Sequence, residues 1–315
     1  MSVFKPYTVK LYGDGMGAAV VFTDMTQLDV SVDLQMEAKP TAAVVSPNHV
    51  AANERNCMVK GTSFDLKGIL DAIGVSGLGF TAATNPGLVA YFQKFTDVGD
   101  PVAGSNHRSF SCAAVGGIIV PKTLSCDHKG DASLTFESLL LGDGTNAPFA
   151  LSDAAALPAI TAASVRWTLG KVVLGGVTFT ENVGLEIDFG NAIEGRGAAS
   201  YLDSTHVEQR THSPVITLTG IDPLWFAAAK VPIGGLAVVT ATDRVYLKKR
   251  VQTGANFTPD ITAEHIRFSL AGLAGVQNAA QAQAQRMSET TLRIVGAIDG
   301  SGNNPLIVST AAAIA

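Results

Sequence analysis

An internal repeat, with a period of about half the chain, constrains the fold of this 315-residue sequence more than any other feature. Residues 28–37 recur as residues 185–194, with the first and last matched residues both displaced by 157 positions. Further matches keep this order at a spacing of 157 or 158 residues: His49-Val50 with His206-Val207, His107 with His265, Phe110 with Phe268, Ser111 with Ser269, Pro148 with Pro305, and Ser152 with Ser309. The sequence therefore predicts two copies of one unit, residues 1–157 and residues 158–315.

Strand-like alternation dominates each copy. In residues 28–35 every second residue is apolar, and Asp29 and Asp33 lie on the opposite face. Glu186 and Asp188 alternate with apolar residues in the same way in the second copy. A period of two is typical of strands with one buried face. The predicted fold class is mainly β, with two tandem, similar antiparallel β-sandwich or half-barrel domains.

One short α-helix is expected to flank the sheet in each copy. Residues 63–74 combine a cap-type residue at the start, a helical stripe of apolar residues and a glycine just past the end. Residues 222–230 begin with Asp222 and Pro223 and end with Lys230, which are typical helix start and stop signals.

The composition favours an assembly protein. The formal net charge is −5, which argues against a protein that grips nucleic acid by neutralising phosphates. Hydrophobic residues make up 47% and charged residues only 16%, so we expect additional surface to be buried between subunits. No apolar run is long enough to span a bilayer, and a secretory signal is not expected at the N-terminus.

No pattern for catalysis or cofactor binding emerges from the sequence. Gly13, Gly15 and Gly17 resemble a phosphate-binding loop, but residues 18–23 have the pattern of a strand, so a hairpin turn is predicted. The carboxylates on the alternating strands are predicted to lie on a solvated or pore-lining face rather than to act as an acid and a base. The chain is therefore predicted not to be an enzyme and to need no cofactor.

Neither the cysteines nor the histidines have metal-site spacing. Cys57, Cys112 and Cys126 lie at irregular intervals and are predicted to be reduced, mostly buried thiols. Four of the six histidines are repeat partners, and we expect them to be hydrogen-bonded in equivalent places. No metal site is predicted.

Several stretches of the second copy carry a resemblance to a known family. They are VGLEIDFG in residues 183–190, Glu194, SPVITL in residues 213–218, the helix start at Asp222-Pro223, and DGSGNNPL in residues 299–306. In these stretches the chain resembles the tail-tube proteins of long-tailed bacteriophages, and through the repeat the first copy resembles them less closely. The resemblance implies a β-sandwich or half-barrel with a flanking helix, in subunits that form rings with one continuous inner sheet.

The resemblance also implies a function and a set of partners. The rings of this family stack into a tube that conducts the genome, and its single-domain subunits usually form six-membered rings. A duplicated subunit is expected to form homotrimeric, pseudo-hexameric rings. The expected partners are further copies of the chain and the tail tip and tail terminator proteins, while tape-measure protein and DNA pass through the lumen without specific binding. The expected location is the virion tail, after synthesis in the host cytoplasm, with no membrane contact.

Two other functions stay open at this point. A hub or distal tail protein at the tail tip has the same architecture. A carbohydrate-binding or adhesive β-sandwich protein is a different class, for which clusters of exposed aromatic residues are expected. Aromatic residues make up only 7% of this chain, with Trp167 and Trp225 as its two tryptophans, which weakens that alternative.

Two sets of site residues follow from the resemblance and the alternation. The lumen is predicted to be lined by Asp29, Asp33, Glu186 and Asp188, because an acidic wall repels DNA phosphates. The long polar segments 37–56 and 194–213, which we expect to lack regular structure, are predicted to contact the next ring. The predicted inter-ring residues are Glu37, His49, Glu54, Arg55, Glu194, His206, Glu208 and Arg210.

Overall fold

The fold is that of a computed structural model, which describes most of the chain. The described residues are 3–11, 19–39, 46, 49–74, 80–82, 87–112, 115–142, 148–160, 165–180, 182–197, 201–220, 235–251, 257–283, 286–298, 302 and 304–314. The predictions for residues 13–17 and for the helix at 222–230 lie outside these residues.

The prediction of a mainly β fold is confirmed. The strands are β1 (Val3–Leu11), β2 (Val20–Phe22), β3 (Met25–Lys39), β4 (His49–Ser63), β5 (Phe80–Ala82), β6 (Leu88–Phe95), β7 (His107–Cys112), β8 (Val115–Asp127), β9 (Ser133–Leu141), β10 (Phe149–Ala155), β11 (Arg166–Leu174), β12 (Val177–Phe179), β13 (Asn182–Asp188), β14 (Asn191–Arg196), β15 (His206–His212), β16 (Val215–Gly220), β17 (Leu236–Val239), β18 (Arg244–Arg250), β19 (His265–Leu270), β20 (Gly272–Gln283), β21 (Arg286–Gly296) and β22 (Leu306–Ala312). The one helix among the described residues is α1 (Leu66–Ile73).

The strands form one large sheet, two smaller sheets and a separate hairpin. The ten-stranded sheet has the order β17-β20-β21-β16-β13-β8-β9-β4-β3, with β5 also paired to β8. The two five-stranded sheets have the orders β2-β1-β6-β7-β10 and β12-β11-β18-β19-β22. Among the described residues, β14 and β15 pair only with each other. All described pairings between named strands are antiparallel.

The two halves of the chain have the same strand order. The two small sheets match strand by strand: β1 corresponds to β11, β2 to β12, β6 to β18, β7 to β19 and β10 to β22. The two halves of the large sheet match in the same way: β3 corresponds to β13, β4 to β16, β9 to β21, β8 to β20 and β5 to β17. The register agrees as well, because Leu28 faces Gly61 and Leu185 faces Leu218, and both residues of the second pair lie 157 positions after those of the first.

The core is continuous across the two halves. Leu28 is buried and Val30 half-buried, and the matching Leu185 and Ile187 are fully buried within the same apolar cluster. Burying such side chains contributes about 1.5–3 kcal/mol each to stability. Because one sheet and one core run through both halves, the division at residue 157 stays a prediction.

Helix α1 confirms the helix predicted in the first copy. Asp65 is its N-cap and accepts a hydrogen bond from the Gly68 backbone N–H at 3.2 Å, while Gly74 ends the helix with a φ of 80°. Leu66, Ile69 and the other apolar residues of the stripe are buried. No helix in the described part of the chain has the length and apolar character needed to cross a membrane.

The expectation that segments 37–56 and 194–213 lack regular structure is wrong. Strand β3 continues to Lys39 and β4 begins at His49, while β14 and β15 form a hairpin of their own. We call the paired residues 34–39 and 49–55 the first arm, and β14 with β15 the second arm. The strand alternation of these segments was missed in the sequence because most of their residues are polar. Only one face of each arm is apolar or buried.

Candidate functional site

The two halves of the large sheet meet at the pairing of β13 with β8. Leu185 faces Cys126 and Ile187 faces Leu124, so the first strand of the second half adds to the edge of the first half. On the same side of β8, β5 occupies residues 117–119, which leaves residues 123–127 for β13. This junction shows that the β8 edge of the first half can pair with the first strand of another half.

The large sheet ends in two edges that correspond to the strands of this junction. Strand β3, the counterpart of β13, pairs only with β4 in the described structure. Strand β20, the counterpart of β8, is paired to β17 through residues 272–275 and has no described partner beyond them on that side. The register break after Pro121 in β8 recurs after Val276 in β20, so Asn278 corresponds to Thr123. A further break in β20 between Asn278 and Gln281 makes Gln281, which faces Glu289, the counterpart of Ser125, which faces Ser133.

Three of the four predicted lumen residues lie on the open polar face of the large sheet. Asp29 and Glu186 occupy equivalent exposed positions, and Asp188 is exposed on the same side of β13. The sequence did not reveal that basic residues share these cross-strand rows. Asp29 faces Lys60, whose Nζ lies 3.3 Å from Glu137 Oε1.

In the second half the corresponding row carries a different charge. Glu186 faces Thr217, which in turn faces the exposed Arg293. Cross-strand neighbours in an antiparallel sheet point to the same face. The face is therefore less acidic than the four predicted carboxylates suggest.

The fourth predicted lumen residue, Asp33, lies beside the second arm. It is exposed and lines an open groove of about 300 Å³ together with Met58, Leu139, Ile193 and Glu194. The second arm thus folds over one end of the polar face. Gly190, which has a φ of 60°, bends the chain between β13 and β14, and a Cβ there would lie 2.1 Å from the Ser213 carbonyl oxygen.

The outer face of the second arm carries the predicted inter-ring residues of the second half. Arg210 Nε lies 2.7 Å from Glu194 Oε2 and 3.6 Å from Glu208 Oε2. The Glu194 carboxylate raises the pKa of the Arg210 guanidinium above its ordinary value. His206 is exposed at the start of β15. These charged side chains are exposed to solvent and accessible to a partner.

Arg55, predicted as an inter-ring residue, is engaged within the chain. Its Nε and Nη2 atoms donate to the two carboxylate oxygens of Asp203 at 2.5 and 2.7 Å, and its backbone N–H donates to the Leu202 carbonyl at 2.8 Å. The hydrogen bond to Asp203, which is 5% exposed, raises the pKa of the Arg55 guanidinium. Ser204 Oγ donates to Asn56 Oδ1 at 2.9 Å beside this ion pair.

These contacts attach the loop of the second arm to the first half of the sheet. Arg55 and Asp203 are 148 residues apart, and no local pattern in the sequence announces the contact. Asp203 and Ser204 are the residues of this contact that sequence reasoning missed. Their burial, at 5% and 1% exposure, is visible only in the structure.

The remaining predicted inter-ring residues lie on the first arm. Glu37 is exposed, and its Oε2 accepts a hydrogen bond from Asn53 Nδ2 at 3.0 Å. Glu54 accepts one from Asn56 at 3.0 Å. His49 begins β4, and its side chain lies outside the described residues.

The histidine prediction is confirmed for one of its two repeat pairs. His107 and His265 are buried and accept equivalent backbone hydrogen bonds, whereas His206 is exposed and the side chain of its partner His49 lies outside the described residues. Cys57 and Cys126 are buried, reduced thiols as predicted, and burial raises the pKa of the Cys126 thiol to about 12. Cys112 has no described side chain. Within the described ranges, no three His, Cys, Asp or Glu side chains lie together as a metal site.

No protein-family model matches this sequence, and neither does any curated protein.

Proposed function

We propose that this chain is a structural subunit of a bacteriophage tail tube, which assembles into stacked rings around a lumen that conducts DNA. The observation that carries the proposal is the pairing of β13 with β8 together with the open edges that their counterparts β3 and β20 have in the described structure. A sheet that joins its own halves in this way has edges suited to joining further copies head to tail.

The sheet edges define how a ring closes. Residues 27–31 of β3 correspond to residues 184–188 of β13, so they are expected to pair with residues 278–283 of β20 in the next copy. In this register Asp29 faces Gln281 of the partner subunit, as Glu186 faces Ser125 within the chain. Such a contact is heterologous, which means that it joins two different surfaces head to tail. It produces a closed ring when the rotation from one copy to the next is a whole fraction of a full turn. Three chains, which supply six similar halves, are the proposed ring.

The polar face of the large sheet is the proposed wall of the lumen. Asp29, Glu186 and Asp188 are exposed on this face, where Lys60 is ion-paired with Glu137 and Arg293 is exposed. A face without a concentrated basic patch does not bind phosphates by releasing counterions. DNA is thereby kept mobile within the tube.

The outer face of the second arm is the proposed contact between rings. Glu194, Glu208 and Arg210 form an exposed charge ladder there. Ring-to-ring contacts through such exposed charges depend on ionic strength, because the Debye length is about 8 Å at physiological salt.

The proposal is tested by electron microscopy of the purified full chain over a range of protein concentrations. We expect rings and stacked tubes with an open channel. A chain that stays monomeric at every concentration, or that forms assemblies without a channel, contradicts the proposed function. Single rings that never stack point to the tail-tip hub and also contradict it.

A further inference from the structure

The first arm and the adjoining part of β3 share an apolar face that no residue in the described part of the chain covers. Along β3, Val32, Leu34 and Met36 are 53%, 39% and 68% exposed, and Val50 on β4 is 64% exposed. The register places them on one face, because Leu34 faces Arg55, Met36 faces Ala52, and Ala38 faces Val50. A two-stranded ribbon is marginally stable alone, and a contiguous apolar face of this kind marks an interaction surface.

A second uncovered apolar surface lies at the opposite end of the large sheet. Val238, Leu273 and Val295 are 77%, 47% and 42% exposed. They form one cross-strand row, because Val238 faces Leu273 and Leu273 faces Val295. We call these three residues the apolar row. They lie on the polar face of the sheet, where a contiguous apolar patch marks an interaction surface.

The first half of the chain shows what covers such a row. Val295 corresponds to Leu139, since Leu139 faces Ile118 as Val295 faces Leu273. Leu139 is only 4% exposed. The second arm lies over it, and a Cβ built on Gly195 would be 2.9 Å from Leu139 Cδ2. The same arm residues, Ile193 and Gly195, line the groove that contains Leu139.

We propose that the first arm of one copy covers the apolar row of a second copy, as the second arm covers Leu139 within the chain. The occupant is a neighbouring subunit in the same ring, and in this respect the inference rests on the proposed function. The first arm is the repeat counterpart of the second arm, and the apolar row is the counterpart of the surface around Leu139. The second arm and Leu139 already contact each other within the chain. The first arm adjoins the β3 edge and the apolar row adjoins the β20 edge, so the contact is continuous with the proposed strand pairing.

The charge beside the covered residue differs between the two halves. Glu137 lies in the groove beside Leu139 and is ion-paired with Lys60, whose Nζ lies 3.3 Å from Glu137 Oε1. Its counterpart beside the apolar row is the exposed Arg293, since Glu137 faces Val120 as Arg293 faces Gly275. A positive charge on the apolar face of the first arm would therefore meet a like charge in the proposed contact.

The test compares lysine substitutions on the two faces of the first arm. Met36→Lys places a charge in the apolar face, next to the proposed position of Arg293 of the partner subunit, whereas Gln35→Lys places the same charge on the opposite face. Both positions are exposed in the single chain, so both variants are expected to fold, which circular dichroism checks. We expect Met36→Lys to raise the concentration needed for ring formation by roughly tenfold or more, and Gln35→Lys to leave it unchanged.

A cysteine pair identifies the partner surface directly. The Met36→Cys, Val295→Cys double variant is expected to form disulfide-linked oligomers on mild oxidation, while either single variant does not form them. Normal rings of Met36→Lys, or no cross-link in the double variant, would overturn the inference. Single rings of Met36→Lys that fail to stack would also overturn it, because the arm would then contact the next ring. If the unmodified chain forms no rings, the proposed function fails, and the cross-link still tests the contact in smaller oligomers.

Discussion

His107 and His265 make the same hydrogen bond in the two halves of the chain. The Nδ1 atom of each accepts a backbone N–H at 3.1 Å, from Lys94 in the first half and from Lys249 in the second. Both rings are buried, at 3% and 0% exposure. Two residues that are 158 positions apart in the sequence therefore satisfy equivalent backbone donors on equivalent strands, which supports the duplication hypothesis at the level of single atoms.

This equivalence predicts that the two histidines contribute similarly to stability. Replacing either with alanine leaves a buried N–H without an acceptor, so His107→Ala and His265→Ala are each expected to lower the free energy of unfolding by about 1–3 kcal/mol. Urea denaturation measures both values. His206→Ala, at an exposed position, is the control and is expected to change little. A large effect at only one of the buried histidines would contradict the equivalence.

The ion pair of Arg55 with Asp203 is predicted to hold the second arm against the first half. Asp203→Ala is expected to lower the free energy of unfolding by about 1–3 kcal/mol, because it leaves the partly buried guanidinium without its bidentate partner. Amide hydrogen exchange in β14 and β15 should become faster. Arg108→Ala removes the solvated pair with Asp153 and serves as the control, for which we expect no resolved change. Unchanged exchange in β14 and β15 would show that the arm does not depend on this contact.

Asp260 is predicted to make the fold sensitive to acid. Hydrogen bonds from Lys171 and Lys248 lower the pKa of its carboxyl below the ordinary value. A carboxylate with a depressed pKa stabilises the folded state fully at neutral pH, and its contribution is lost as the pH falls below about 4. Asp260→Asn should therefore be less stable than the unmodified chain at pH 7 and closer to it at pH 3, in thermal unfolding. Equal differences at both pH values would contradict the assignment.

The proposed lumen wall predicts a selective effect on DNA passage. Asp29→Lys combined with Glu186→Lys adds basic charge to the polar face. Asp29 lies on the β3 edge, where the backbone makes the proposed pairing and the side chain points to the face of the sheet. We expect tubes to assemble normally and DNA release from the particle to become slower, because lysines bind passing phosphates. Asp100→Lys, in an exposed turn, is the matched control. Normal release in the double variant would place this face away from the DNA path.

Local patterns in the sequence were sufficient to predict several elements. The alternation of Leu185, Ile187 and Phe189 predicted a strand with one buried face, and all three are buried. Gly175 and Gly176 have φ values of 58° and 80°, as a two-residue hairpin turn requires. These features depend on neighbours in sequence, so the pattern itself contains the necessary information.

Features that depend on contacts between distant strands were not predictable in this way. Residues 238–248 have the pattern of one strand, yet Val239 ends β17 and Arg244 begins β18 in another sheet. Between them Asp243 accepts the Thr240 backbone N–H at 2.8 Å and the Gly175 backbone N–H at 2.6 Å, so the turn depends on the other hairpin. The position of Arg293 in the row of Glu186 likewise depends on register across three strands, which no local pattern specifies.

The central claim is that the large sheet continues from one copy into the next around a closed ring. A cryo-electron microscopy reconstruction of the assembled tube, at a resolution that separates strands, tests it most directly. We predict three chains per ring, with residues 27–31 of β3 paired antiparallel to residues 278–283 of β20 in the adjacent copy and Asp29 opposite Gln281 of the partner subunit. Six chains per ring, or a β3 edge that faces solvent in the assembled tube, would contradict the account.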